Sequence, residues 1–213
     1  MRTLIITGGS LDLDYLRDFL KQNKYDYIIG VDKGVEYLYN ISVLPDLMIG
    51  DFDSINQEVI KELSNNTNIK LKRFIAEKNE TDTHLAILEA VKMGSKHIDI
   101  FGGIGSRIDH TLANIHILLI PLKEGIKCRI INRNNVITLL NTNIKLKRDS
   151  YKYISLIPFT NNVSGITTSG LKYELNEYTM EQGLSIGISN ELIGDEATIS
   201  IRDGVLIIIK SRD

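Results

Sequence analysis

The stretch "MIGDFDSI", residues 48–55, places Asp51 and Asp53 directly after an apolar run. The run is typical of a short buried strand, and the segment that follows, "INQEVIKELS", has the spacing of an amphipathic helix. Ser54 and Gln57 are spaced as a capping box, which predicts that this helix begins at Ser54. The stretch therefore indicates a β-strand and an α-helix joined by a charged turn, with Phe52 expected to point inward between the two carboxylates.

The same alternation extends over residues 1–134. Short apolar runs, typical of strands, occupy residues 3–7, 25–32, 46–51, 69–74, 97–103 and 127–132. Helical patterns lie between several of them, at residues 12–23, 55–64, 81–94 and 109–122. Thr81 or Asp82 can cap the third helix, and Gly94 can end it. Almost wholly apolar strands between amphipathic helices predict a mostly parallel α/β sandwich, with the sheet covered on both faces.

After residue 134 the pattern changes to short β-type runs separated by Gly, Asn and Asp. These runs are residues 136–140, 151–159, 164–170, 171–175, 185–190, 197–201 and 205–210. No helical period is evident among them, so residues 135–213 are predicted to form a small antiparallel β-sandwich. The chain is thus expected to contain two domains, 1–134 and 135–213.

Composition excludes several classes of protein. The 213 residues include 25 basic and 27 acidic side chains, so no net charge draws the chain to nucleic acid or to a membrane surface. The single cysteine, Cys128, lies in an apolar run and is expected to be a core residue. The first apolar run is too short for a signal peptide, and no segment reaches the length of a spanning helix. We therefore expect a cytoplasmic enzyme or binding protein.

Polar residues follow five successive strands of the first domain. They lie in the segments "GGS" (8–10), "VDKG" (31–34), "GDFDS" (50–54), "AEKNETDT" (76–83) and "GGIGSRIDH" (102–110). In a parallel sheet these segments meet at one edge, where ligands bind. Each has a plain structural explanation as a turn or helix cap, and no complete dinucleotide or P-loop motif is present.

The residue types at these strand ends suit phosphoryl transfer. Carboxylates are the ligands that Mg²⁺ prefers, and Asp51, Asp53 and Asp82 could supply them. Two carboxylates about 4 Å apart repel each other by roughly 4 kcal/mol at an effective dielectric of 20, which favours a bound cation. Three cations could offset phosphate charge, and helices beginning near Thr81 and Asp109 add partial positive charge. These cations are Lys33, Lys78 and Arg107.

Five motifs, in order along nearly the whole chain, resemble the bacterial thiamine pyrophosphokinase family. They are "VDKG" (31–34), "GDFDS" (50–54), "K-x-x-TDT" (78–83), "R-x-DH-x-L-x-N-I" (107–115) and "GISNE" (187–191). The resemblance implies a thiamine diphosphokinase, which transfers pyrophosphate from ATP to the hydroxyethyl group of thiamine and yields thiamine diphosphate and AMP. It also implies Mg²⁺ and a homodimer, with thiamine between the α/β domain of one subunit and the β domain of its partner.

The resemblance assigns roles residue by residue. Asp51, Asp53 and Asp82 would bind metal and act in catalysis, and Ser189 and Asn190 would contact thiamine. The ATP site would comprise Asp32, Lys33, Gly34, Ser54, Lys78, Thr81, Thr83, Arg107, Asp109, His110 and Asn114. In the expected mechanism the thiamine hydroxyl attacks the β-phosphorus of ATP in line, and either Asp82 or Asp53 accepts its proton. The alternatives are a Mg²⁺-dependent nucleotide hydrolase, another diphosphokinase and a non-catalytic sensor.

Overall fold

The computed structural model describes residues 1–53, 55–73 and 79–213. It divides into two compact units, Met1–Arg133 and Asn134–Asp213. Two residues of the expected ATP site, Ser54 and Lys78, lie outside the described residues. Within the described ranges, no helix is long and apolar enough to cross a membrane.

The first unit alternates strands and helices. Its strands are β1 (Arg2–Ile6), β2 (Tyr27–Val31), β3 (Leu47–Gly50), β4 (Lys70–Arg73), β5 (His97–Phe101) and β6 (Lys127–Ile131). Its helices are α1 (Leu13–Gln22), α2 (Lys33–Asn40), α3 (Gln57–Ser64), α4 (Asp82–Lys92), α5 (Ile108–Ile117) and α6 (Leu119–Lys123). All paired strands are parallel, in the order β6-β5-β1-β2-β3-β4.

Burial explains why these runs form the centre of a two-sided sheet. Successive side chains of a strand point to opposite faces, yet Leu4, Ile5 and Ile6 of β1 are all fully buried. The same holds for Ile100 and Phe101 of β5. Both faces of the sheet are therefore covered, as the continuous apolar runs predict.

Helix α2 is absent from the sequence-based prediction because it begins with no recognisable cap. It starts one residue after β2, and Asp32 between them has φ 45° and makes no capping hydrogen bond with its side chain. Gly34 lets the first turn approach β1, since a Cβ there would collide with the carbonyl oxygen of Ile6. The expected turn "VDKG" is therefore the start of a helix.

Two details of the predicted helices are wrong. Helix α3 begins after Asn56, whose Oδ1 accepts a hydrogen bond from the Glu58 N–H at 2.9 Å, so the helix starts later than predicted; the expected cap, Ser54, lies outside the described residues. Gln57 instead donates to the carbonyl oxygen of Phe52 at 3.0 Å. The single helix expected over 109–122 is two helices, α5 and α6, because Pro121 has no N–H for a continuous helix.

The second unit is an antiparallel β-sandwich. Its strands are β7 (Asn135–Leu140), β8 (Asn143–Lys147), β9 (Tyr153–Pro158), β10 (Asn162–Ser169), β11 (Tyr178–Glu181), β12 (Asn190–Glu191), β13 (Glu196–Ser200) and β14 (Leu206–Ser211). They form two sets, β12-β9-β14-β7 and β11-β10-β13-β8, whose inner side chains share one buried cluster. The predicted fold, a parallel α/β domain followed by an antiparallel sandwich, is confirmed.

Two runs expected to be strands in this unit are not. Residues 171–175 make only an isolated bridge at Leu171, and of residues 185–190 only Asn190 belongs to a strand. Gly170 and Gly187 have φ values of 80° and 97°, which interrupt an extended chain at these places.

A buried carboxylate joins the central strands of the first unit. Asp99 of β5, only 2% exposed, accepts hydrogen bonds from Arg129 at 2.8 and 2.9 Å and from the Tyr25 hydroxyl at 2.6 Å. Arg2 adds an ion pair at 3.5 Å. Burial, and then the Asp99 charge, raise the pKa of Tyr25, so its hydroxyl remains a donor. Burial also raises the pKa of the Cys128 thiol, which confirms Cys128 as a core residue.

We predict that Asp99→Asn lowers the free energy of unfolding by about 2–4 kcal/mol, because it leaves two arginines beside a neutral buried group. Urea denaturation followed by circular dichroism measures this change. The matched control is Asp14→Asn, which removes an 85% exposed carboxylate paired with Arg17 and should cost less than about 1 kcal/mol. Equal losses in both variants would show that the Asp99 cluster has no special importance.

Candidate active site

The loops that follow β1 and β5 hydrogen-bond to each other at the carboxyl edge of the sheet. The Gly9 N–H donates to the Gly102 carbonyl, and the Ser10 N–H donates to the Ile104 carbonyl, both at 2.9 Å. A Cβ on Gly9 would collide with Gly102, so the two backbones can approach this closely only with glycine. The chain order reverses between these two strands, which is where open α/β sheets form ligand crevices.

The start of α2 lies beside this loop. Lys33 is exposed, and its Cβ is 3.4 Å from the position that a Cβ on Gly8 would take. Tyr37, one turn further along, donates its hydroxyl to the Gly9 carbonyl at 3.2 Å, and the Lys33 Nζ lies 5.7 Å from the centre of its ring. Tyr37 therefore contacts the glycine loop through its hydroxyl and the Lys33 ammonium through its ring. The sequence prediction did not include it, but the i, i+4 spacing from Lys33 would have indicated it had α2 been recognised.

The turn after β3 separates its two carboxylates by a buried ring. Phe52 has φ 62° and is 1% exposed, packed with Val35 and Met48, so the prediction that it points inward is confirmed. Asp51 is half-buried, Asp53 is exposed, and the Asp51 Oδ1 accepts a hydrogen bond from the Asp53 N–H at 3.1 Å. The turn thus has a defined shape before any ligand binds.

Asp32 lies close to this turn. Its half-buried carboxylate occupies the space over Gly50 in which a Cβ would otherwise stand. The structure thereby brings Asp32, the residue after β2, next to the end of β3, as expected for neighbouring parallel strands.

The segment before α4 supplies a cap and a buried hydroxyl. Thr81 is the N-cap, and its Oγ1 accepts a hydrogen bond from the His84 N–H at 3.2 Å. Asp82 is the first helical residue and is half-buried. Thr83, expected to contact ATP, is only 6% exposed and shares a hydrogen bond with the Thr7 hydroxyl at 2.8 Å. Its side chain therefore contacts β1 rather than open solvent.

The segment that begins α5 contains an exposed ion pair. The Arg107 guanidinium donates to both carboxylate oxygens of Asp109, at 3.2 and 2.6 Å, and this lowers the pKa of Asp109. His110 is exposed beside them. Asn114 is 8% exposed and donates to the Gly103 carbonyl at 2.8 Å, so its amide stabilises the loop after β5.

The structure does not gather the three expected metal ligands into one cluster. In the described ranges, no group of three or more His, Cys, Asp or Glu side chains lies close enough to hold a metal ion. Mg²⁺, however, needs only one or two carboxylates when phosphate oxygens and water complete its shell. The turn with Asp51 and Asp53 offers that donor set.

In the second unit, Ser189 and Asn190 differ in solvent exposure and in the hydrogen bonds that they make. Asn190 is 5% exposed, and its amide both accepts from the Tyr173 N–H at 3.0 Å and donates to the Tyr173 carbonyl at 2.7 Å. Ser189 is exposed at φ 57°, and its N–H donates to the Ser155 hydroxyl at 3.0 Å. Asn190 therefore orders the backbone, while the Ser189 hydroxyl faces solvent.

Comparisons with known proteins agree with this geometry. Residues 20–130 match the family described as "Thiamin pyrophosphokinase, catalytic domain", and residues 141–206 match "Thiamin pyrophosphokinase, vitamin B1 binding domain". The chain is 38% identical to the thiamine pyrophosphokinase of Bacillus subtilis, with 100% of both proteins covered.

The fold is similar to two crystal structures. Thiamine pyrophosphokinase from Bacillus subtilis has a TM-score of 0.89 and 33% identity, with all of both chains covered. Thiamin pyrophosphokinase from Geobacillus thermodenitrificans has a TM-score of 0.87 and 32% identity, covering 100% of this chain and 98% of that one. With both units matched over their length, the chain belongs to the thiamin pyrophosphokinase family.

Proposed function

We propose that this chain, a thiamine diphosphokinase by its family, transfers the pyrophosphoryl group of ATP to the hydroxyethyl oxygen of thiamine at the carboxyl edge of the parallel sheet. The products are thiamine diphosphate and AMP. The observation that carries this assignment of the site is the pair of hydrogen-bonded glycine loops after β1 and β5, with carboxylates after β3 and at the start of α4.

In this proposal the ATP phosphates lie beside the glycine loops, whose shape is fixed by their mutual hydrogen bonds, and against the N-terminus of α4, where partial positive charge favours an anion. Lys33 supplies one full charge, and phosphate oxygens replace Asp109 as the partner of Arg107. That exchange costs little, because the side chains of Arg107 and Asp109 are 69% and 64% exposed. The remaining expected ATP contacts are Asp32, Gly34, Ser54, Lys78, Thr81, Asp109 and His110, together with Thr83 and Asn114, which also form hydrogen bonds within the protein.

Asp51, Asp53 and Asp82 are proposed to hold Mg²⁺ together with the phosphates. Bound there, the ion would neutralise charge on the phosphate oxygens as the bond to AMP breaks. The chain's own contribution is positional: the turn after β3 holds two carboxylates, and the thiamine hydroxyl attacks the β-phosphorus in line. Asp82 or Asp53 accepts the proton of that hydroxyl.

Thiamine is proposed to lie against the second unit. The exposed Ser189 hydroxyl would contact the ligand, while Asn190 acts through the backbone that it orders. Supporting this, Ser189 and Asn190 fall within the region that matches the vitamin B1 binding domain description.

The reaction itself is directly testable. Protein incubated with ATP, Mg²⁺ and thiamine should form AMP and thiamine diphosphate in equal amounts, measured by anion-exchange chromatography. ATP consumption unaffected by thiamine would instead identify a nucleotide hydrolase, and saturable binding without AMP would identify a sensor.

We predict that Asp53→Asn lowers kcat at least about 100-fold, because the turn loses one of its two charged metal ligands. The steady-state rate is measured at several Mg²⁺ concentrations, with Asp14→Asn as a matched carboxylate control outside the site. Wild-type kcat in Asp53→Asn at saturating Mg²⁺ would show that the metal assignment is wrong.

We also propose a cytoplasmic homodimer. Supporting this, the second unit exposes five large apolar side chains, three of them within residues 184–188, which a partner subunit could cover. They are Tyr173, Leu184, Ile186, Ile188 and Ile193.

Light scattering should therefore give a mass of twice the 24.0 kDa of one chain. Ile193→Glu, which changes a side chain that is 70% exposed, should weaken that dimer and lower activity at low protein concentration. Leu44→Glu, at a 56% exposed site in the first unit, is the matched control. A fully active monomer at nanomolar concentration would exclude a site shared between subunits.

A further inference from the structure

Two buried hydroxyl pairs connect β1 to the chain at either end of α4. Thr3 and Ser95 share a hydrogen bond at 2.6 Å beyond the C-terminal end of the helix, and Thr7 and Thr83 share one at 2.8 Å in its first turn. All four residues are at most 7% exposed. Polar groups in such positions are found where they have a partner.

These pairs hold the helix in one register against the strand. An α-helix rises 1.5 Å and turns about 100° per residue, so a shift of α4 by one residue would separate Thr83 from Thr7. A hydroxyl left buried without a partner is destabilising, so the observed register is preferred.

The pair at the N-terminal end is next to the reaction site. Thr7 directly precedes the glycine loop that begins at Gly8, and Thr83 directly follows Asp82. The hydrogen bond between Thr7 and Thr83 therefore links the residue beside the proposed phosphate-binding loop to the residue beside Asp82, the proposed metal ligand.

We propose that Thr7 and Thr83 are a positioning pair that places Asp82 relative to the Gly8–Gly9 loop. This inference rests on the proposed function of that site. It gives Thr83 an indirect role in place of the ATP contact expected from sequence, and it adds Thr7, which no motif indicated. Thr3 and Ser95 make the same kind of bond away from the site and serve only stability.

The test is a double-mutant cycle with Thr7→Val and Thr83→Val, each of which keeps the side-chain shape and removes the hydroxyl. Either change should lower kcat about 10–100-fold, the effect of a small misplacement of a catalytic group. The double variant should be no worse than the single ones, since both break the same bond. Thr83→Ser, which retains the hydroxyl, should restore most of kcat.

The distal pair is the matched control. Thr3→Val and Ser95→Ala should lower Tm by about as much as Thr7→Val and Thr83→Val do. Their kcat, measured well below the melting temperature, should stay at the wild-type level. If the valine variants do not fold, Thr7→Ala and Thr83→Ala are measured in the same cycle. Additive effects, or wild-type kcat in Thr7→Val, would overturn the proposal and indicate that Thr83 contacts ATP directly.

A second readout separates this inference from the proposed function. The same cycle is measured on the Kd of a non-hydrolysable ATP analogue with Mg²⁺, which requires no turnover. Non-additive weakening of that Kd supports the positioning pair even if the wild-type protein forms no thiamine diphosphate. Unchanged binding in Thr7→Val together with normal wild-type turnover would leave the proposed function intact and reject the pair.

Discussion

The close approach of two loop backbones, after β1 and after β5, is the constraint on which the rest of the site depends. Two N–H groups of one loop donate to carbonyls of the other, and this is sterically possible only because Gly9 and Gly102 carry no side chain. Once these loops meet, the neighbouring elements have little freedom. Helix α2 must start beside the first loop, and the amide of Asn114 in α5 must stabilise the second.

Several polar side chains of this region therefore form hydrogen bonds within the protein. Tyr37 and Asn114 each donate a hydrogen bond to a carbonyl of a glycine loop, and Thr83 shares one with the Thr7 hydroxyl. A site for a flexible, highly charged substrate needs such support, because its loops must already have the shape that the substrate requires. The charged residues, in contrast, are exposed or paired only weakly, as Lys33 and Arg107 are, and so remain available.

The architecture was predictable where a single physical signal dominates. Unbroken apolar runs such as that of β1 predict strands buried on both faces, and the inward position of Phe52 follows from its place between two carboxylates. The predicted elements were wrong where the local backbone geometry differs from what the sequence pattern indicates. Helix α2 follows Asp32 at a positive φ with no side-chain cap. Tyr173, in the middle of residues 171–175, hydrogen-bonds to the Asn190 amide instead of pairing as part of a strand. Motif matching located Asn190 and Thr83 but could not show that their polar groups are buried.

The first unit places its carboxylates in two opposite environments on the same sheet. Asp99, in the middle of β5, has its charge balanced by Arg129 and Arg2, and both its oxygens are used. Asp51 and Asp53, beyond the end of β3, are joined by a hydrogen bond from the Asp53 N–H to the Asp51 carboxylate; Asp51 is half-buried and Asp53 is exposed. A buried charge must be neutralised by the protein itself, or the fold loses stability. A charge at the carboxyl edge can be left for a cation and phosphates to neutralise, so the position of each aspartate relative to its strand separates the structural role of Asp99 from the metal-binding role proposed for Asp51 and Asp53.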